Sequence, residues 1–187
     1  SNNKGTFNAI NAGSSDHLLV LLNGQKYEPG ATGSLDGRYN VPTVDTVNSG
    51  INIAVATVDQ YNNVVSSTDN VTLSSPTDNY AHLGDFNATT GNFTLAGGVY
   101  EVVNLDSVRF LTAADTASRL GRANRKHVIS ATNGTISGNS DSIVVRPGTH
   151  ANNLVLFESL ETAQPGDTAS EGQTSAAAAD LAQSGTY

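Results

Sequence analysis

Short apolar runs rich in β-branched residues recur along the chain, broken by Gly, Asn, Asp or Ser, the best of them alternating with a period of two. The clearest is Ile51-Asn52-Ile53-Ala54-Val55-Ala56-Thr57-Val58, after which Asp59-Gln60-Tyr61-Asn62-Asn63 supplies turn residues. Further strands are predicted over 17–21, 70–74, 92–95, 99–103, 108–112, 127–131 and 142–145. The separation of these runs, roughly 8–15 residues, is that of a β-sandwich. Asn133-Gly134 between two runs is a strong hairpin signal. No segment has a helical period, and the Ala-rich stretch 175–182 has no apolar face to dock. The pattern predicts an all-β fold with strand above a third of the chain and helix below a tenth.

The order of motifs repeats. His17-Leu18-Leu19-Val20-Leu21 followed by Glu28-Pro29-Gly30-Ala31-Thr32 is echoed by Asn153-Leu154-Val155-Leu156-Phe157 followed by Gln164-Pro165-Gly166-Asp167-Thr168. Asp45 to Gly50 is echoed by Asp180 to Gly185, and Ile10-Asn11-Ala12-Gly13 by Val145-Arg146-Pro147-Gly148. The offset is 136 residues for the first pair (153 − 17) and 135 for the others (180 − 45, 145 − 10). Fixed-period self-similarity is the signature of tandem arrays. On this reading residues 1–13 are the terminal or donated strand of a preceding unit, and 14–150 are one sandwich unit. Residues 151–187 are the opening strand and linker of the next unit, held by a neighbour because Ala163 to Tyr187 has too little apolar surface to order itself.

Composition sets the context. Only 14% of residues are charged, so Ser, Thr, Asn and Gly make the polar surface, a habit of secreted microbial proteins. A net charge of −8 argues against nucleic acid, which needs clustered Lys and Arg. Zero Cys removes disulfides, thiolate metal sites and Cys nucleophiles. No apolar run is long enough for a membrane span or signal peptide. The chain starts at Ser1 and holds no Met, and so reads as a processed product or a piece of something longer.

The segment from Ser49-Gly50-Ile51 to Leu73, with its Asp59-Gln60-Tyr61-Asn62-Asn63 turn and Val71-Thr72-Leu73 strand, resembles the opening of bacterial Ig-like repeats. Ala131-Thr132-Asn133-Gly134 through Ser142-Ile143-Val144-Val145 is similar to their closing hairpin. The stretch from Ala114 to Lys126 departs from the pattern, being longer and more basic. The resemblance covers roughly 14–150 and implies an immunoglobulin-like β-sandwich, with flanking strands belonging to neighbouring repeats. It implies use in adhesins, surface layers and filaments, and no catalytic residue.

Candidate chemistry is sparse. Arg119, Arg122, Arg125 and Lys126 hold four of the nine Lys and Arg residues, with His127 adjoining. In an acidic protein this cluster is either a solvated loop or an assembly patch for an acidic neighbour. Asp59, Asp69, Asp78, Asp85, Asp106, Asp115 and Asp141 fall mostly at turns, where carboxylates cap their own backbone. Calcium likes such oxygens, yet no recognisable loop motif occurs, and no ligand set is assigned. His17, His82, His127 and His150 stand apart, at no metal-ligand spacing, and read as surface or strand residues. No nucleophile elbow is present. Asn70, Asn87, Asn92 and Asn133 begin Asn-x-Thr sequons, in numbers that chance explains in so Thr-rich a chain.

The sequence therefore points to a non-enzymatic, extracellular structural module of a surface layer, fibre or filament, assembling through β-strand contacts between units. Its partners would be copies of itself or neighbouring repeats, and it would need no cofactor. The rivals are an adhesin module binding a glycan or host protein, and an accessory sandwich of a secreted glycan-active enzyme. An exposed aromatic platform would favour either rival.

Overall fold

A computed structural model describes residues 11–33, 36–84, 91–102, 108–114 and 126–148. Among these the chain has thirteen strands and no helix, with about 41% strand, so the all-β expectation holds. In order they are β1 (His17–Leu22), β2 (Lys26–Tyr27), β3 (Arg38–Tyr39), β4 (Asp45–Thr46), β5 (Ile53–Val58), β6 (Asn70–Ser74) and β7 (His82–Leu83). There follow β8 (Gly91–Thr94), β9 (Val99–Val102), β10 (Val108–Arg109), β11 (Ser130–Thr132), β12 (Ser137–Asn139) and β13 (Val145–Arg146). Two sheets dominate, one ordered β1-β5-β9 and the other β12-β11-β6-β8, both antiparallel.

One core joins the two sheets. Leu18, Val20 and Leu22 of β1 and Ile53 and Val55 of β5 cluster with Val71 and Leu73 of β6 and Ala131 of β11. Each of the Val, Leu and Ile side chains among these contributes about 1.5–3 kcal/mol when removed from water. The opposite face of β1 is covered too: Leu19 packs with Ala56 and Val58, with Leu21, Val64 and Val99 at the margin. Burial on both faces explains why β1 reads as a continuous Leu-Leu-Val-Leu-Leu run without alternation.

Smaller ladders stitch the ends. β7 pairs with β10, and β10 is flanked on its other side by the chain before β5, through Asn48 N–H to Phe110 O (2.8 Å) and Ile51 N–H to Val108 O (2.8 Å). β4 runs parallel to β13, which also exchanges backbone bonds with Ala114. β2 and β3 form a short antiparallel ribbon between β1 and β4.

Three predicted elements differ in detail. The run 108–112 is a strand only to Arg109, because the Leu111 and Thr112 N–H groups donate to the Asp78 carboxylate instead of a neighbouring strand. The run 127–131 becomes strand at Ser130, with His127 joining only through a bridge to Ile143. Ser130 faces Asn139 while His127 faces Ile143, so one strand advances three residues and the other four. The extra residue is a bulge. Ser140 fills it, its N–H donating to Ile129 O and its Oγ accepting from Ile129 N–H. The β11–β12 hairpin forms as expected, but its loop spans four residues, 133–136. Only Gly134 has positive φ (88°); Asn133 works through Oδ1, which accepts from Thr135 and Ile136 N–H.

The seam between the sheets is where β12 passes β1. A Cβ at Gly138 would run into the Leu18 carbonyl oxygen, so only Gly permits the approach. Arg38 completes the seam: its Nε donates to Val20 O (3.3 Å) and Nη2 to Asn139 O (2.7 Å), while Nη1 meets Asp36 Oδ2 (3.1 Å). β1 contains the run 18–21 used to infer the repeat; its counterpart at 154–157, most of 1–13 and all of 151–187 lie outside the described residues.

The seam yields a prediction. Gly138→Ala is expected to destabilise the fold by about 1–3 kcal/mol, as overpacking does. Its exposed neighbour Ser137→Ala should stay within about 0.5 kcal/mol. Urea midpoints of the two variants against the parent decide it, and equal midpoints would refute the close approach.

Candidate functional site

Three polar constellations stand out. The first is the turn after β5. Asp59 is buried, and its Oδ2 accepts from Gly13 N–H (2.7 Å). Oδ1 accepts from the N–H groups of Tyr61 and Asn63 (both 2.9 Å), and the Asn63 amide reaches both oxygens. The Gly13 bond, then those from Asn63 and Tyr61, hold the carboxyl at about 2, below the ordinary 3.8. Asn62 is buried beside it at φ 61°, an orientation Asn tolerates. Its amide donates to Ala31 O (2.6 Å), its Oδ1 meets His17 Nε2 (3.0 Å), and its carbonyl accepts from the Tyr27 hydroxyl (2.6 Å). The turn thus fastens the lead-in segment, β1 and the β2–β3 ribbon together.

The second centres on Asp78 and His127. Asp78 is buried, caps Tyr80 N–H through Oδ1, and receives Leu111 and Thr112 N–H at Oδ2 (2.8 and 2.9 Å). His127, 2% exposed, stacks on Phe110 with ring centroids 4.7 Å apart. Its Nε2 lies 2.8 Å from Thr112 O and its Nδ1 3.2 Å from Thr77 Oγ1. Burial pushes its pKa down. His127 is therefore neutral at pH 7 and contributes nothing to the basic cluster it adjoins in sequence. Expected as a surface or strand residue, it joins the ladder through its bridge to Ile143 and lies in the core with both ring nitrogens bonded inside the protein.

The third is an open polar cleft of about 410 Å³ lined by Ser15, Asp69, Asn70, Asn133, Thr135 and Ile136. It brings the lead-in segment against the start of β6 and the β11–β12 turn. The Asn133 amide donates to Asp69 Oδ2 (3.0 Å), and Asn70 Oδ1 accepts from Thr94 Oγ1 (2.6 Å). The lining offers hydroxyl, amide and carboxylate groups, and no nucleophile–base pair.

Of the proposed assembly patch, Lys126 is exposed, while Arg119, Arg122 and Arg125 lie outside the described residues. Asp85, Asp106, Asp115 and His150 also lie outside them. Among the described residues no three His, Asp or Glu gather as a metal site. Three tyrosines are exposed, Tyr27 (36%), Tyr39 (52%) and Tyr61 (56%). Register puts Tyr27 beside Arg38 and Tyr39 beside Lys26, on opposite faces of the ribbon, so these two form no common stacking surface. Sequence reading missed Arg38, Ser75 and Thr77, whose partners are distant in the chain. Asp59 carried a signal, an Asp four residues before Asn63.

Comparison of the chain with protein-family models, curated proteins and solved structures found no match. The functional reading therefore rests on the chain's own residues.

The two buried clusters predict a two-step loss of stability with acid. His127 has a folded pKa below its ordinary 6.5, so its contribution is complete above that value and fades as pH falls below it. Asp59 contributes fully above 3.8 and loses that contribution as pH falls toward about 2. Denaturant midpoints measured from pH 7 to 2 should fall in both windows. His127→Gln should flatten the first and Asp59→Asn the second, the latter also lowering the midpoint at pH 7. An unchanged profile in Asp59→Asn would refute its role as the fastening of the turn.

Proposed function

We propose that the chain is an immunoglobulin-like, non-catalytic module of an extracellular surface layer, fibre or filament, made of units strung end to end. The observation that carries the reading is strand order. Counting only the strands of the two large sheets in chain order, the three-stranded sheet holds the first, second and fifth. The four-stranded sheet holds the seventh, sixth, third and fourth. Constant-type immunoglobulin domains place first, second, fifth and fourth in one sheet and third, sixth and seventh in the other. Moving the fourth strand across the sandwich gives the arrangement here.

Two further features support a structural role. The buried Asp and His residues are engaged in holding backbone together. The stretch after β3 leaves Tyr39, Val41 (78% exposed) and Val44 (46% exposed) open to solvent, an apolar strip suited to contact with an adjoining unit. Self-association measured by sedimentation tests this. Val41→Asp is expected to weaken it roughly tenfold or more while leaving the unfolding midpoint unchanged. A chain that remains monomeric at about 1 mM would sink the self-assembly reading.

The polar cleft favours a second reading, an adhesin module that binds a glycan. A glycan-array signal lost in Asp69→Ala, with the sheets intact by circular dichroism, would favour it over the first.

A further inference from the structure

The outer face of the four-stranded sheet has an unusual makeup. Val71 and Leu73 of β6 and Ala131 of β11 are buried and Phe93 of β8 packs on the core, so the alternate positions face out. Across β12, β11, β6 and β8 every outward position is Ser, Thr or Asn. Register aligns Ser137, Thr132, Thr72 and Asn92 in one row spanning all four strands. No charge falls on this face, although the chain carries a net −8.

All three sequons among the described residues meet at this sheet. Asn70-Val71-Thr72 occupies β6, Asn92-Phe93-Thr94 occupies β8, and Asn133-Gly134-Thr135 begins the β11–β12 turn. Asn-x-Thr spacing in a strand sets Asn and Thr on one face and the middle residue on the other. β6 and β8 pair antiparallel so that each Asn faces the other sequon's Thr. Asn70 Oδ1 accepts from Thr94 Oγ1 (2.6 Å), and Asn92 Oδ1 from Thr72 Oγ1 (2.8 Å).

We infer that this face carries N-linked glycan at Asn70 and Asn92, and that Asn133 stays bare. The inference rests on the proposed export of the chain. The modification forms a bond between Asn Nδ2 and the anomeric carbon of a pyrophosphate-linked sugar donor. The anomeric carbon–oxygen bond breaks, the pyrophosphate carrier leaves, and one amide proton passes to the transferase. Oδ1 is untouched by this chemistry. At Asn70 and Asn92 the inter-strand bond uses Oδ1, and no bond of the described residues engages Nδ2, so the sheet keeps its cross-strand pairs when sugar is attached. Both side chains are exposed. At Asn133 the amide is committed on both sides: Oδ1 accepts from Thr135 and Ile136 N–H, and Nδ2 donates to Asp69. A sugar on that nitrogen would replace one of its two hydrogens and crowd the Asp69 carboxylate to which it donates. An uncharged face of hydroxyls and amides is also one on which sugar rings lie without burying an unpaired charge.

The test is peptide mapping by mass spectrometry of the protein recovered from the cells that make it, with cell fractionation alongside. Sugar mass on the Asn70 and Asn92 peptides, none on the Asn133 peptide, and loss of that mass in an Asn70→Gln/Asn92→Gln variant with unchanged circular dichroism are the expected results. Protein found outside the cell with Asn70 and Asn92 both bare overturns the inference and leaves the export reading standing. So does sugar confined to Asn133. Protein confined to the cytosol overturns both readings.

Discussion

The pairing of β1 with β5 is the constraint on which the rest of the structure depends. Its six residue pairs, His17 with Val58 through Leu22 with Ile53, place Leu18, Val20 and Leu22 toward the other sheet and Leu19 and Leu21 toward the opposite side. A slip of one residue would exchange the two sets. Apolar residues alone do not fix this register, since β1 is nearly uniform in Leu and Val. The register is fixed at its end. Asp16 N–H bonds Val58 O, and the next residue, Asp59, takes the Gly13 N–H. Asn62 holds His17 through its ring nitrogen. The turn acts as a stop against which β1 is aligned.

Asp59 and Asp78 solve the same problem at two ends of the fold. Each is a buried carboxylate that gathers N–H groups from segments that have left their strands, Gly13 in one case and Leu111 and Thr112 in the other. Buried backbone N–H groups without partners are costly, and a carboxylate accepting several of them is a strong form of compensation. This accounts for why these two acids are buried. It also accounts for the absence of general acid–base arrangements at these two sites, because their lone pairs are already committed to backbone.

Much of the fold was legible in the residues. Alternation at 51–58 and 70–74, the turn at 59–63 and the Asn-Gly hairpin all reflect local chemistry, and local chemistry shows in sequence. What was hidden depends on partners far apart. Nothing near His127 announces that Phe110, Thr77 and Thr112 will enclose it, so its sequence neighbours made it look like part of a basic surface. Nothing in the sequence singled out Arg38, whose partners Val20 O and Asn139 O come within its reach only in the folded chain. The cleft was illegible for the same reason, since Ser15, Asp69 and Asn133 meet only after both sheets have closed. The sequons were visible as motifs, but their convergence was not, because it follows from the β6–β8 register.

Edge closure limits how such units can associate. β12 is an outer strand of its sheet, and exposed outer strands invite pairing with another chain. Here β12 lies against β1, with Gly138 beneath the Leu18 carbonyl and the Arg38 guanidinium occupying the Val20 and Asn139 carbonyl oxygens. A foreign strand adding at β12 would first have to displace that guanidinium, leaving a buried cation with Asp36 in place of its three-sided set of partners. In the proposed assembly, contact between units would thereby be directed away from this seam, toward surfaces where backbone pairing is not at stake. The strip from Tyr39 to Val44 is such a surface, offering side chains in place of a ladder. The outer face of the four-stranded sheet is another, but it is polar, uncharged and internally hydrogen-bonded, and it gives a protein neighbour little to bury. For the proposed assembly, side-chain contact through the strip and a hydrated sheet face would be the division of labour that this seam imposes.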